Sequence, residues 1–436
     1  MLHPTRSARG KLSAVIRPIT LCSTLFIIQV CYTYSGAQGL SADEFVSRAL
    51  AANAELAAAR LNVERAGARL RQAGLRPNPS ISFERQDGAF DSPGEGGTFI
   101  GLSLPVEIGG KRRGRIDLAR IELEAAEAEI ADRERRLAND VRIAYAEAMA
   151  ALDELEITSG LDNLDTQTAR VVEARVREGD AAPLELNLLR VEIERLRSRR
   201  ALIAGRLQAA LLRLQNLAAL DRPLRPSESL SAAPSFQPPA TVESAIGIAL
   251  RNRPDLRLAR LEEEAAMAGL KLARAQSAPD VTLFTRYGSQ ISTFDSTPVG
   301  PISDRDRLLA FGVSISLPVF NRNQGAKAEA EITIAQAKQR RRFIESSALA
   351  DVKSAWARYE AAGAALETFE QGVLARSSDN IRAIRGAYEV GGLRITDLIN
   401  EQRRLLDARR EFAEALGERY RALADLQAAI GVDQKH

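Results

Sequence analysis

The chain has 436 residues, 45% hydrophobic and 27% charged, with a formal net charge of +3; this is the balance of a large folded body, and it excludes a disordered or collagen-like chain. It holds 2 Cys and 2 His: Cys22, Cys31 and His3 lie within the first 31 residues, and His436 is the last. Without its N-terminus the working chain has no thiol and no internal imidazole, which excludes disulfide scaffolds, Cys/His zinc sites, cysteine nucleophiles and His-dependent triads.

In chain order the first feature is a leader. Arg6, Arg9, Lys11 and Arg17 precede the apolar run Ile19 to Val30, and the small residues Ser35-Gly36-Ala37 follow. This is the order of a secretory signal peptide, with cleavage expected near Ala37. The alternative is an uncleaved N-terminal anchor, although the apolar run is short for a membrane span of about 20 residues. A lipid anchor on Cys31 would need small residues before it, where Gln29-Val30 stand. Four of the basic residues belong to the leader, so the mature charge is near −1 and the basic balance is no argument for nucleic acid.

The mature chain repeats. Ala49-Leu50 recurs as Ala249-Leu250, Arg60-Leu61 as Arg260-Leu261 and Pro79 as Pro279, at an offset of 200 residues. Leu104-Pro105-Val106 recurs as Leu317-Pro318-Val319 at 213, and Gly179 recurs as Gly391 at 212. So long a period suggests duplication of a whole structural unit. The expected division is a signal peptide over 1–37, a first repeat over 38–219, a Pro-rich linker over 220–241 and a second repeat over 242–436.

Each repeat has the same internal order. A helix runs from Ser41, a candidate N-cap with Glu44 three residues on, to about Arg76; its counterpart runs from about Thr241 to Gln276. Two alternating segments follow, Ser80–Gln86 and Phe99–Leu104, then Val281–Tyr287 and Phe311–Leu317 in the second repeat. The last alternates Val313, Ile315 and Leu317 with Gly312, Ser314 and Ser316, the period of a strand between an apolar and a polar environment. The segment from Gly288 to Arg307 reads as an irregular loop. A helix of about 70 residues then runs to Gly179 or Gly391, with Ile116, Leu123, Ile130 and Leu137 at coiled-coil spacing. A shorter helix returns, from about Pro183 to Leu217 and from about Thr396 to Ile430.

Such a long helix spans about 105 Å, and two of the shorter helices end to end match it. The strands, at about 9 or 10 residues, have the length of tilted membrane-spanning strands. Four cannot close a barrel, and backbone edges must be satisfied inside a membrane, so the chain needs partners. Three copies would supply 12 strands. A soluble coiled coil with two ordinary hairpins is the plainer alternative.

Ala73-Gly74-Leu75-Arg76-Pro77-Asn78-Pro79 and Leu104-Pro105-Val106-Glu107-Ile108-Gly109-Gly110-Lys111-Arg112 resemble segments of the TolC family of outer-membrane efflux proteins, most of all its CzcC-like heavy-metal branch. The run Tyr388 to Leu398 resembles the family's periplasmic hairpin tip. The resemblance implies a mainly α chain with a small β part. Its long antiparallel helices would form a trimeric periplasmic tunnel, capped by a 12-strand transmembrane barrel in outer-membrane lipid. It also implies a periplasmic adaptor protein and an inner-membrane pump as partners. Carried over by position, Asp397 matches an acidic constriction residue, and Asn400 stands where relatives can have a second acid. Tyr388 matches a latch tyrosine, Glu185 a latch acid, and Leu393 replaces a latch arginine that the adjacent Arg394 could supply. Two readings of Asp397 stand: a three-fold carboxylate ring favouring cations, or a helix-end acid favoured by the dipole. Gly179, Asp180, Gly391, Gly392 and Leu393 form the hairpin tips, where the resemblance places adaptor contact; the glycines read also as turn residues.

Arg195 to Arg200 and Arg340 to Arg342, with Glu nearby, read as solvated helix faces rather than a nucleic-acid surface. No nucleophile with a base, no nucleotide loop and no cofactor site is legible, so an enzyme is not expected. Three function classes remain: a passive exit duct for metal cations, the same duct for drugs, solvents or a secreted polypeptide, and a periplasmic coiled-coil adaptor or structural protein.

Overall fold

The computed structural model describes residues 40–87, 95–225, 230, 236–294 and 302–432. The expected leader and parts of the strand loops and Pro-rich linker lie outside them. The first series of elements is α1 (Ala42–Ala52), α2 (Ala54–Ala73), β1 (Ser80–Asp87), β2 (Gly96–Val106), α3 (Lys111–Glu178) and α4 (Pro183–Leu217). The second is α5 (Val242–Asn252), α6 (Pro254–Ala275), β3 (Asp280–Phe294), β4 (Ile302–Ser316), α7 (Gln324–Thr368), a π turn (Phe369–Val373), α8 (Leu374–Glu389) and α9 (Ile395–Ile430). The same order of elements thus occurs twice.

The Ser41 cap forms as expected. Its hydroxyl accepts from the Glu44 N–H at 3.3 Å, and the Glu44 carboxylate accepts from the Ser41 N–H at 2.7 Å. The single helix expected from Ser41 to Arg76 is instead two, broken at Asn53; its counterpart breaks at Arg253. Pro254 explains the second break, since a residue before proline is driven out of the helical region. Asn53 achieves the first by capping α2, its side chain accepting from the Leu56 N–H at 3.0 Å.

α3 is one uninterrupted helix of 68 residues, about 102 Å long. The residues at heptad spacing, Ile116, Leu123, Ile130 and Leu137, are only half-buried; the buried apolar positions of this stretch are Ala119, Ala128 and Ala138, which let neighbouring helices approach closely. At mid-height Val141 and Ala144 pack with Ala49 and Leu214, and Val352 and Ala355 pack with Ala249 and Leu426. Between α3 and α7 that correspondence, Val141 to Val352 and Ala144 to Ala355, has an offset of 211, whereas the tip glycines are 212 apart. The π turn lies between, and its wider winding takes up the extra residue.

The four strands form one antiparallel sheet in the order β1-β2-β3-β4. Ser80 faces Ser103 in the first hairpin, and Asp280 faces Ser316 in the second. These are the same pairs displaced by 200 and 213 residues, so both hairpins share one register. β3 and β4 have 15 residues each, against 8 and 11 for β1 and β2. The expected loop from Gly288 to Arg307 is therefore largely strand: Gly288 pairs with Leu308 and Ile291 with Arg305. Its polar composition hid this. Once a hairpin is seeded its ladder extends readily, and charged residues mark departure from the apolar zone rather than the end of a strand.

Candidate functional site

Two regions carry the functional reading, the helical tips and the sheet. At the first tip Gly179 adopts φ 86°, and the Asp180 N–H donates to the Arg175 carbonyl at 2.8 Å. At the second Gly391 adopts φ 77°, and the Gly392 N–H donates to the Ala387 carbonyl at 2.8 Å. Both are helix ends that a left-handed glycine closes. Leu393 and Arg394 are exposed beside the second turn.

The structure brings the two tips together. Val172, Leu186, Leu189 and Ile193 from α3 and α4 pack with Tyr388, Ile395, Leu398 and Ile399 from α8 and α9. Within this cluster the buried Tyr388 hydroxyl donates to Glu185 at 3.4 Å, linking the hairpins. Arg175, which the sequence did not single out, lies 5.4 Å from the Tyr388 ring centre. Burial, and then the Glu185 charge, push the Tyr388 hydroxyl pKa up. Asp397 accepts from the Arg394 N–H at 3.1 Å, capping the first turn of α9 from its third position. Asp397 and Asn400 are both exposed in the single chain.

Above the tips the buried face of α3 is polar, which sequence reasoning missed. Glu154, Thr158, Asp162, Asp165 and Thr168 are all buried. Their spacing of three or four residues was the available signal. Arg200 reaches Asp162 at 2.9 Å and Arg206 reaches Glu154 at 2.8 Å, while Arg403 pairs with Glu192. The Arg195–Arg200 run is thus a solvated face with part of its charge spent inward. Like Glu154 and Asp162, Asp165 has one oxygen without a hydrogen-bond partner, but it differs in the charge beside it, which is the like charge of Glu192. Burial, then the charge of Glu192, raise its pKa to about 7, against a hydrogen bond from Gln402.

The sheet is two-faced. Ile81, Phe83, Ile100, Leu102, Phe311 and Val313 are exposed large apolar residues on one face. The other carries Ser82, Glu84, Gly101 and Ser314, with Arg286 paired to Glu84 at 3.2 Å and 3.8 Å from the Phe99 ring centre. The Phe99 ring covers Gly288, where an added Cβ would stand 2.1 Å from it. Among the described residues no helix is long and apolar enough to cross a membrane, a fact that does not bear on strands. No group of three His, Cys, Asp or Glu side chains that could hold a metal ion occurs among them either.

A sheet with one apolar face, set on helices of about 100 Å, is the architecture of TolC-like channels. The outer membrane efflux protein profile matches residues 45–220 and 245–432, and the chain belongs to that family. It is 24% identical to the cobalt-zinc-cadmium resistance protein CzcC of Cupriavidus metallidurans, over 90% of each chain. It is also 24% identical to the pyoverdine export outer membrane protein OpmQ of Pseudomonas putida, over 83% of this chain and 74% of that one. Among solved structures it resembles CusC, with a TM-score of 0.73 and 22% identity over 89% of this chain and 92% of that one.

Proposed function

We propose that the chain is the outer-membrane exit duct of a tripartite efflux system and that it passes heavy-metal cations. Three copies contribute 12 strands to one barrel, and their helices continue it as a tunnel across the periplasm. The chain is exported by its leader, arose by internal duplication along the boundaries given above, and does no chemistry. Energy comes from an inner-membrane pump, and a periplasmic adaptor meets the tips at Gly179, Asp180, Gly391, Gly392 and Leu393. The cations are cargo; the duct does not have to bind what it passes. At the tips Tyr388 and Glu185 hold the resting closure, Arg394 stands in for the missing latch arginine, and Asp397 of three copies forms the carboxylate ring, with Asn400 nearby.

The observation that carries this reading is the two-faced sheet, whose apolar residues stay exposed and whose edge strands β1 and β4 stay open among the described residues. In lipid both must be satisfied, the face by hydrocarbon and the edges by other strands. The metal cargo rests on the likeness to CzcC. The likeness to OpmQ favours a second reading, the same duct exporting an organic compound.

A clean deletion strain, grown on Co, Zn, Cd, Ni, Cu and Ag salts beside drugs and bile-type detergents, separates the two. Sensitivity to a subset of the metals, restored by the gene, is expected. Sensitivity to organic compounds with unchanged metal tolerance would move the cargo to the second reading.

A further inference from the structure

We propose that β4 of one copy pairs antiparallel with β1 of the next in a defined register, with Leu317 opposite Phe83 and Val319 opposite Ile81. The partner at each open edge is a second copy of this chain. The proposal rests on the trimeric-barrel reading above and adds the residues that meet.

The register follows from the repeat. The β1–β2 hairpin maps onto the β3–β4 hairpin pair for pair, Ser80 and Ser103 onto Asp280 and Ser316, by offsets of 200 and 213. Among the described residues the sheet holds one further seam, β2 against β3, where Leu104 faces Leu283 and Val106 faces Val281. Under the same offsets β2 becomes β4 and β3 becomes β1. The image of the inner seam is then a β4–β1 seam, and within one chain those strands are at opposite edges. Leu104 and Leu283 map to Leu317 and Phe83; Val106 and Val281 map to Val319 and Ile81. Further along, Ser103 and Phe284 map to Ser316 and Glu84, and Gly101 and Arg286 map to Ser314 and Gln86.

Exposure supports this independently. Leu104 and Val106 are 44% and 37% exposed, but their images Leu317 and Val319 are 74% and 58% exposed. Leu283 is 44% exposed and its image Phe83 is 70% exposed. The excess falls at the positions that the inner seam covers and the outer edges do not. Strand length agrees. β2 runs three residues past Ser103, to Val106, where β1 has ended and β3 alone lies beside it. β4 stops at Ser316, the image of Ser103, and the Val319 N–H turns back onto the Leu317 carbonyl at 2.9 Å. A neighbouring β1 gives those groups strand partners and extends β4 to the length its counterpart has.

Cys22 and Cys31 are the only cysteines of the chain, and both are first replaced by Ser. In that background Ser316→Cys is combined with Glu84→Cys, and separately Ser314→Cys with Gln86→Cys. Outer membranes are oxidised and resolved without reductant. Directly opposed residues stand within disulfide reach, so both pairs should give reductant-sensitive linked trimers as the main product. The displaced pair, Ser316→Cys with Gln86→Cys, should link at least about fivefold less, because its Cα atoms lie near or beyond the 7 Å limit. An amine-reactive cross-linker on the same membranes reads trimer formation independently of register. Trimers in which the displaced pair links best would overturn the register and leave the barrel reading standing. Absence of trimers with every reagent would overturn both.

Discussion

Asn53 and Arg253 occupy equivalent helix breaks with almost the same backbone, φ −65° and ψ 121° against φ −64° and ψ 123°. Each also reaches the end of the returning helix. Asn53 donates to the Leu217 carbonyl at 3.4 Å, and Arg253 donates to the Ala429 carbonyl at 3.2 Å, positions 212 residues apart. The chemistry differs. Asn53 is a neutral cap. Arg253 is a buried guanidinium held by Asp255 at 2.6 Å and Asp351 at 3.1 Å. Burial opposes its charge, but the two carboxylates outweigh burial and raise its pKa. The pair of sites teaches that the repeat preserves a backbone path and a carbonyl contact, while the side chains that secure them are free to change.

That contrast predicts unequal costs. Arg253→Ala strands Asp255 and Asp351 and should cost about 3 kcal/mol, the range for breaking a buried ion pair. Asn53→Ala loses one cap and should cost about 1 kcal/mol. Guanidinium unfolding of the purified protein, followed by helicity, measures both, and equal costs would break the comparison. Burial works to raise the Asp255 pKa, and the bond to Arg253 overrides it and lowers the pKa. The Asp255 contribution is therefore present above the ordinary carboxylate range and is lost as pH falls through the depressed value.

How much of this was legible divides along the same line. Helix ends marked by Ser41, Gly179, Pro183 and Gly391 were readable because caps and turns are local chemistry. The break at Arg253 was missed although Pro254 marks it, because the apolar periodicity runs across it. Strand length was not readable. Ser303 to Arg307 has no apolar alternation, and only pairing with β3 makes it strand. At the tips Tyr388 and Glu185 were named from a family resemblance, and the structure places them 3.4 Å apart. The polar seam of α3 was missed because Asp162 and Asp165 look like solvent-facing acids until α4 and α9 cover them.

That seam gives a second contrast, between two acids one turn apart. Asp162 is met by Arg200 at 2.9 Å, whereas Asp165 lies near the like charge of Glu192 and has a pKa raised to about 7. A carboxylate raised in the folded state is protonated there while the unfolded chain has already ionised. Stability from this group therefore falls as pH rises from about 4 to about 7, and is flat above. Asp165→Asn removes the dependence. Its stabilisation over the parent should grow by about 2 kcal/mol between pH 5 and pH 8. Melting curves at the two pH values measure this. Asp162→Asn, which frees Arg200, should destabilise at both, and a stabilising Asp162→Asn would erase the distinction between the two acids.

A small effect on stability belongs to the tips, where the two hairpins again differ. The first contributes Glu185 and Arg175, and the second contributes Tyr388, whose hydroxyl donates to Glu185 and whose ring lies over Arg175. Tyr388→Phe keeps the packed ring and its contact with Arg175 and removes the interactions of the hydroxyl with Glu185 and Arg175, so it should cost about 1 kcal/mol of stability. Its effect on closure should be larger in proportion, because a bond between hairpins has no substitute within either. In planar bilayers Tyr388→Phe should raise the open fraction without changing cation preference. Asp397→Ala should do the reverse. Asp397 caps α9 within its own hairpin, and its exposed carboxylate would face its copies in the trimer. Cation preference should fall with Asp397→Ala while the open fraction stays near that of the parent. If Asp397→Ala leaves cation preference unchanged, the carboxylate is a helix cap and nothing more, and the ring is lost from the proposal while the Tyr388 latch stands on its own measurement.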